Sequence, residues 1–166
     1  MKAHNYREIR GVPCTRKEFV RGVPQPKIVR LAMGDPSANY DYEVSLVSLE
    51  PVQVRHNALE AARVASNRHL QDNLGEKGYY LRVPLYPHVV LRENKMIFGA
   101  HADRLQDGMR RSFGKPIGTA ARVKPNQPVI VVNVNENALD IAKEALRRGA
   151  SKLPHKCRVI INKIEN

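Results

Sequence analysis

Two segments of the chain share a helix-opening pattern, and they divide the rest of the sequence into strand-like pieces. The first is NALEAARVASNRHLQDNLG, from Asn57, and the second is NALDIAKEALRRG, from Asn137. In the first segment, Asn57 is a favourable N-cap with Glu60 three residues later, and Gly75 is placed to end the helix. Apolar residues then recur on one face, which predicts a helix of about four to five turns.

The second segment has the charge distribution that a helix favours. Asp140 lies early, Arg147 and Arg148 lie in the last turn, and Gly149 is placed to end the helix, in agreement with the helix macrodipole. The likeness of the two openings has two explanations, an internal duplication or a chance match, because Asn-Ala-Leu-acid is a generally good way to begin a helix. Both explanations predict the same architecture.

Each helix lies between segments that resemble strands. These segments are residues 42–54, interrupted by Pro51, and residues 78–83, 88–93, 119–124, 128–134 and 157–164. The order predicts two β-α-β units folded into one sheet, with both helices covering one face. The expected fold class is therefore α/β: a two-layer sandwich with a mixed sheet, a basic irregular N-terminal segment and a long basic loop.

The 166 residues are enough for one domain with its own core. We expect a single domain over 1–166. Within it, residues 1–40 are predicted to be basic and irregular, because Pro13, Pro24, Pro26 and Pro36 interrupt a run of arginines and lysines. Residues 41–166 are predicted to form the α/β core, with a flexible basic loop at about 101–117.

Charge indicates the class of partner. The chain has 28 Lys and Arg against 16 Asp and Glu, a formal net charge of +12, and a pI near 10.0. Such a field attracts polyanions, so nucleic acid is the leading partner. A membrane is less favoured, because no apolar run approaches the roughly 20 residues that span a bilayer. The pattern of Cys14 and Cys157 fits two reduced thiols in an intracellular protein, and no zinc-ligand spacing or cofactor motif is present.

The stretch ADRLQDGMRRSFGKPIGTAARV, residues 102–123, contains Gly-Lys but is not a phosphate-binding loop. Five residues separate Gly108 from Gly114, where that motif has four, and Lys115 is followed by Pro116 rather than by a hydroxyl residue. An acid/base role for His101 with nearby carboxylates has little support, since the stretch has few apolar residues to build a pocket.

The acids of this loop are expected to act locally. Asp103 and Asp107 would cap a turn or pair with Arg104 and Arg110. The surplus cations predict a loop that contacts phosphates. Two further basic regions lie at residues 7–30 and 152–158, which suggests a protein surrounded by nucleic acid. Only 5% of the residues are aromatic and none is Trp, so structured RNA recognised through its backbone fits better than stacked single strands.

Four stretches together resemble a known family. They are HADRLQDGMRRSFGKPIGTAARV, FVRGVPQPKI at 19–28, NALEAARVASNRHL at 57–70 and EALRRGASKLP at 144–154. They resemble the universal large-subunit ribosomal protein numbered sixteen, in its archaeal and eukaryotic form called L ten-e. The short ending at Asn166 favours the archaeal form.

The resemblance implies a protein without catalytic activity, located on the cytoplasmic ribosome. It would lie in a cleft of large-subunit ribosomal RNA beside neighbouring ribosomal proteins. Its loop, at about 101–115, would point toward the peptidyl-transferase centre and the acceptor arm of transfer RNA. In this family the loop is often disordered away from the ribosome.

The resemblance and the charge pattern together give a set of RNA-binding candidates. These are His101, Arg104, Arg110, Arg111, Lys115 and Arg122 around the loop, and Arg16, Lys17, Arg21, Lys27 and Arg30 in the N-terminal segment. Met109 and Phe113 would wedge against nucleotides or fold back on the loop. Glu18 and Asp107 depart from the family's pattern, which weakens the assignment of Arg16, Lys17 and the loop tip. Two alternatives stay open: an RNA-modifying enzyme that joins His101 or His88 to a carboxylate or metal, and a free factor that binds transfer RNA.

Overall fold

The strands form two antiparallel sheets. A computed structural model of the chain describes residues 1–13, 15 and 18–164, without the side chain of Asp103. The five-stranded sheet has the spatial order β1 (Ala32–Gly34), β4 (Tyr80–Arg82), β7 (Pro128–Val134), β2 (Tyr42–Ser48) and β8 (Cys157–Lys163). The three-stranded sheet has the order β3 (Val52–Arg55), β6 (Lys115–Val123) and β5 (Val89–Glu93).

Two long helices pack on each other and on these sheets. They are α1 (His56–Leu74) and α3 (Leu139–Ala150), and a short α2 (Ala102–Leu105) lies in the loop between β5 and β6. Single 3-10 turns occupy Ala3–Asn5, Gly108–Arg111 and Glu136–Ala138. Helix α3 contacts β2, β7 and β8, whereas α1 contacts α3, β3 and β6. Neither long helix, nor any other helix in the described part of the chain, has the apolar length needed to cross a bilayer.

The fold class predicted from the sequence is confirmed, but the sheet is arranged differently. Strands are divided between two sheets instead of one, and each neighbouring pair in the described residues is antiparallel. The connection β7-α3-β8 does join two strands of one sheet, yet β2 lies between them and pairs with both. An alternating apolar pattern shows that a segment is a strand and leaves its neighbours undetermined.

The clearest change of sheet occurs at Pro51. Residues 42–54 were predicted to lie on one side of one sheet, whereas β2 belongs to the five-stranded sheet and β3 to the three-stranded sheet. Between them the Ser48 hydroxyl donates to the carbonyl of Glu50 at 2.7 Å. The first sheet ends at Ser48, and Pro51, which has no amide hydrogen for a sheet ladder, lies directly before the start of β3 at Val52.

One continuous core unites both sheets and both long helices. Its residues come from strands of both sheets and from both long helices, and they include Val44, Leu46, Val54, Leu59, Leu70, Leu81, Val123, Ile130, Val132 and Leu146. The side chains of Val44, Val54, Leu81 and Val132 have no exposed surface. Burying apolar area of this kind is the main favourable contribution to folding.

The start of α1 differs from the prediction. The helix begins at His56, Arg55 occupies the N-cap position, and no side-chain hydrogen bond caps it. The expected capping role of Asn57 is therefore wrong. Glu60 is engaged elsewhere, because its Oε2 accepts a hydrogen bond from Arg63 Nε at 2.8 Å. The predicted end is confirmed: Gly75 follows Leu74 with a φ of 71°.

Gly149 lies inside the last turn of α3 rather than after it, because the helix continues to Ala150. It is buried where α3 crosses α1, and a Cβ at this position would overlap Ser66 Oγ. The Ser66 hydroxyl donates to the carbonyl of Ala145 at 3.1 Å across the same crossing. The glycine is required by the close approach of two helices, not by a helix end.

The N-terminal segment is less irregular than expected, since it contains the edge strand β1. Its first residues are held on the three-stranded sheet by Gln53 of β3. The backbone N–H of Gln53 donates to the carbonyl of Arg7 at 2.8 Å, and its side-chain Nε2 donates to the carbonyl of Tyr6 at 2.8 Å. The segment therefore lies along the sheet in a defined position.

Candidate nucleic-acid interface

Residues 94–114, between β5 and β6, form a lobe that is joined to the sheet by a narrow neck. We call these residues the basic lobe. At the neck Glu93 pairs with Lys115 in the ladder of β5 and β6. Gly114 has a φ of 76°, and a Cβ there would come within 2.6 Å of the backbone nitrogen of Asn94. A glycine is needed here because the two arms of the lobe touch through their backbones.

Hydrogen bonds between the two arms give the lobe an internal structure. Gln106 Oε1 accepts from the backbone N–H of Ile97 at 2.6 Å, and Asn94 Nδ2 donates to the carbonyl of Gly108 at 3.3 Å. The short helix α2 starts after His101, which has the left-handed φ of 64°. The lobe is therefore a folded unit with specific internal contacts, not a featureless loop.

The arginines of the lobe point their charge outward. The side chains of Arg104 and Arg110 are exposed and make no hydrogen bond or ion pair with another side chain in the described residues. Arg111 Nε lies 3.3 Å from Asp107 Oδ2, with 82% and 54% of the two side chains exposed. Such a surface pair is worth at most about 1 kcal/mol, so it does not hold Arg111 away from a polyanion.

The expected local pairing of the acids is different in detail. Asp107 pairs with Arg111 rather than with Arg110, and it makes no side-chain cap to the 3-10 turn that follows. The pairing expected for Asp103 lies outside the described residues. His101 is exposed near the start of α2, and Lys115 is exposed at the neck as the first residue of β6. Both belong to the same surface as the arginines.

The lobe also exposes large apolar side chains. Phe98 is 90% exposed, Met109 is 72% exposed and Phe113 is 68% exposed. Phe113 packs against the sheet rather than on the loop, because the guanidinium carbon of Arg92 in β5 lies 3.2 Å from its ring centroid. Phe98 was not singled out from the sequence, although its position beside Gly99 in a stretch with no helical or strand period is a signal of exposure.

Three predicted contacts of the N-terminal segment are exposed, and two cannot be placed. Arg21, Lys27 and Arg30 face outward. Arg16 and Lys17 lie outside the described residues. The backbone N–H of Lys27 donates to His56 Nδ1 at 3.3 Å, which fixes this part of the segment beside the start of α1.

Arg122 differs from the other candidates because its guanidinium is already used. Its Nη2 donates to the carbonyl of Gly11 at 2.7 Å and lies 3.3 Å from the carbonyl of Arg10. The side chain is half-buried, and its Nε is enclosed without a hydrogen-bond partner among the described residues. Arg122 thus connects the N-terminal segment to β6.

The described residues offer few of the side-chain arrangements that an enzyme active site needs. In the described residues no three His, Cys, Asp or Glu side chains are grouped as metal ligands, and His88 and His101 are both exposed. Cys157 Sγ lies 3.4 Å from His155 Nε2. Burial raises the pKa of the Cys157 thiol to about 11, and burial lowers the pKa of His155. Both groups are therefore held neutral, the opposite of a thiolate–imidazolium nucleophile.

One family of known proteins matches most of this chain. The family described as Ribosomal protein L16p/L10e matches residues 9–160. The chain belongs to this family. The resemblance stated from the sequence is confirmed, and the chain is a structural protein of the large ribosomal subunit. The enzyme alternative is wrong, since this is a family of ribosomal proteins.

Relatives in the L16p/L10e family match along almost the whole chain. Large ribosomal subunit protein uL16 of Staphylothermus marinus is 53% identical over 163 residues, covering 98% of this chain and 94% of the relative. The protein of that name from Hyperthermus butylicus is 58% identical over 149 residues, covering 90% and 83%. The one from Methanococcus maripaludis is 50% identical over 161 residues, covering 97% and 93%.

Proposed function

We propose that this structural protein of the large ribosomal subunit binds ribosomal RNA through its basic lobe and N-terminal segment. The observation that carries the proposal is the exposure of Arg104 and Arg110, whose guanidinium groups make no hydrogen bond or ion pair with a described residue. Arginine presents a planar fork of donors that fits phosphate oxygens, and each phosphate contact releases a counterion. Arg111 adds a third guanidinium with only a surface ion pair to give up.

The N-terminal segment contributes a second part of the same surface. Arg21, Lys27 and Arg30 are exposed along it, and Arg122 contributes by holding the segment on β6. Arg16 and Lys17 are included because they carry the same charge in the same segment. Lys115 and His101 extend the surface from the neck to the start of α2.

The lobe is proposed to reach the acceptor arm of transfer RNA near the peptidyl-transferase centre. Support comes from the family resemblance and from the form of the lobe, which is a folded projection on a narrow neck. Its exposed Phe98 and Met109 have no core to fill, so they are available to pack on sugar or base surfaces.

Removing the three lobe arginines tests the proposal. In the triple variant Arg104→Ala, Arg110→Ala and Arg111→Ala, we expect an unchanged circular dichroism spectrum and melting temperature, since no core contact is lost. The affinity for large-subunit ribosomal RNA should fall, and the slope of log K against log salt should decrease by about one unit for each lost phosphate contact. Filter binding across a salt series measures both.

The matched control replaces the same three arginines with lysine. It keeps the charge, so the salt slope should stay near that of the unchanged protein, while the affinity falls through loss of the guanidinium forks. Equal binding by the alanine variant and the unchanged protein would refute the lobe as an RNA-binding element. Ribosomes assembled with the alanine variant should also bind transfer RNA more weakly, and normal binding there would remove the transfer RNA half of the proposal.

A further inference from the structure

The outer groove between α1 and α3 is lined by cations that belong neither to the lobe nor to its neck. Lys27 comes from the N-terminal segment, Arg68 from α1, and Arg148 and Lys152 from the end of α3 and the turn after it. No residue lining this groove belongs to the basic lobe. The groove is therefore separate from the basic lobe, although it shares Lys27 with the N-terminal segment.

The groove exists because the two helices approach each other closely beneath it. Gly149 and Ser66 meet at the crossing, where a Cβ at residue 149 would overlap the Ser66 hydroxyl. On the outer side, the groove floor includes Ala61 and Ala65 together with Val64, which is 47% exposed. Small side chains leave an open channel with a weakly apolar floor.

The charge of the groove is not cancelled from within. Glu60 is its only acidic lining residue in the described part of the chain, and it is bound by Arg63 Nε at 2.8 Å. The hydrogen bond from Arg63 also lowers the pKa of Glu60, which favours the ionised carboxylate. The guanidinium of Arg63 balances the negative charge of this carboxylate. Arg148 pairs with Glu144 at 3.2 Å, whereas Lys27, Arg68 and Lys152 make no ion pair with a described residue. Three cations are thus left facing a shallow channel.

We propose that this groove is a second RNA-binding surface, which holds a sugar-phosphate backbone along the α1–α3 channel. Exposed cations on both walls suit the phosphates, and the aliphatic floor suits the ribose edges. An RNA is favoured over an apolar peptide because the walls are cationic and Val64 is the one large apolar side chain on the floor. The inference rests on the proposed function, because both assume an RNA partner.

The test compares two sets of three charges in the full-length protein. The groove variant is Arg68→Ala, Arg148→Ala and Lys152→Ala, which leaves Lys27 in place because the N-terminal part of the proposed surface also uses it. The control variant is Lys77→Ala, Lys143→Ala and Lys163→Ala, which removes the same net charge from exposed positions outside the groove and the lobe and, like the groove variant, includes one residue of a surface ion pair. We expect the groove variant to bind large-subunit ribosomal RNA on the order of 50-fold more weakly near 0.15 M salt, with a salt slope reduced by about two units. The control should lose much less of both.

A benzophenone amino acid in place of Val64 identifies the occupant in assembled large subunits. A crosslink to ribosomal RNA supports the proposal, whereas a crosslink to another protein overturns it. Equal RNA binding by the groove and control variants also overturns it. If the lobe alanine variant loses affinity while the groove variant does not, only the groove assignment fails; if neither loses affinity, the proposed function fails with it.

Discussion

At the scale of single residues, His56 shows how a polar group is used inside this core. It is buried at the first position of α1, with its Nδ1 3.3 Å from the backbone nitrogen of Lys27 and 3.1 Å from Thr119 Oγ1. A backbone N–H can only donate, so Nδ1 must accept and the imidazole is neutral with its proton on Nε2. Burial lowers the pKa of His56, as do the nearby charges of Arg55 and Lys27.

The lowered pKa makes the stability of the protein sensitive to acid. The folded state binds a proton at His56 less readily than the unfolded chain does. The contribution of the neutral imidazole to stability is therefore complete above the ordinary pKa of 6.5 and is lost as the pH falls below that value. We expect the free energy of unfolding to decrease with falling pH in that range. In His56→Asn, whose Oδ1 can accept from Lys27, part of this decrease should disappear.

Urea denaturation at several pH values from 7.5 downward measures the effect. His155 also has a lowered pKa from burial, so its contribution remains in both proteins and the difference between them isolates His56. Parallel pH profiles for the two proteins would contradict the assignment of a neutral, accepting imidazole.

At the scale of elements, the crossing of α1 and α3 depends on the absence of a side chain at Gly149. An alanine there would gain about 1 kcal/mol of helix propensity, but it would displace the Ser66 hydroxyl from Ala145 and overpack the crossing. We expect Gly149→Ala to destabilise the protein by about 1–2 kcal/mol in chemical denaturation.

In a double-mutant cycle with Ser66→Ala, the effect of Gly149→Ala on the free energy of unfolding should change sign. Once Ser66→Ala has removed the hydroxyl, the added methyl group has space, and Gly149→Ala should then stabilise the protein through helix propensity. Additive effects of the two substitutions would show that the helices do not meet at these two residues.

The same elements show what the sequence could and could not predict. Strand β7 was predicted with its observed bounds, because a long apolar run with a proline start has few alternatives. The division into two sheets was not predicted, since periodicity does not specify partners. Gly149 was interpreted as a helix end because a glycine near a C-terminus usually has that role. The tight crossing depends on Ser66, which is 83 positions earlier in the chain.

At the scale of the whole molecule, the cations divide into those that face outward and those that organise the chain. Charge alone predicted Arg104 and Arg122 as equivalent. The first is exposed, and the second donates to the carbonyl of Gly11 at 2.7 Å. The sequence could not separate them, because the partner of Arg122 is a backbone group more than a hundred residues away.

Loss of this connection should free the start of the chain from the core. In Arg122→Ala we expect faster cleavage of residues 7–13 by limited proteolysis and an RNA affinity reduced less than in the lobe variant, because no outward charge of the lobe is removed. Arg122→Lys retains the charge, but the lysine side chain is shorter than the arginine whose Nη2 reaches both carbonyls, so this variant should be cleaved nearly as fast. Cleavage at the rate of the unchanged protein in both variants would show that the other contacts, such as those of Gln53 with Tyr6 and of the Met1 amino group with Glu93, hold the segment without Arg122.

The narrow neck at Gly114 has a consequence for how this protein tolerates change. The ladder closes at Glu93 and Lys115, and the two arms touch at Gly114; beyond this neck, the entropic cost of a longer flexible tip rises only with the logarithm of its length. Insertions or deletions at the lobe tip should therefore change the stability of the β-sheet very little. The length and sequence of that tip would be selected by its contacts on the ribosome rather than by the folding of the domain.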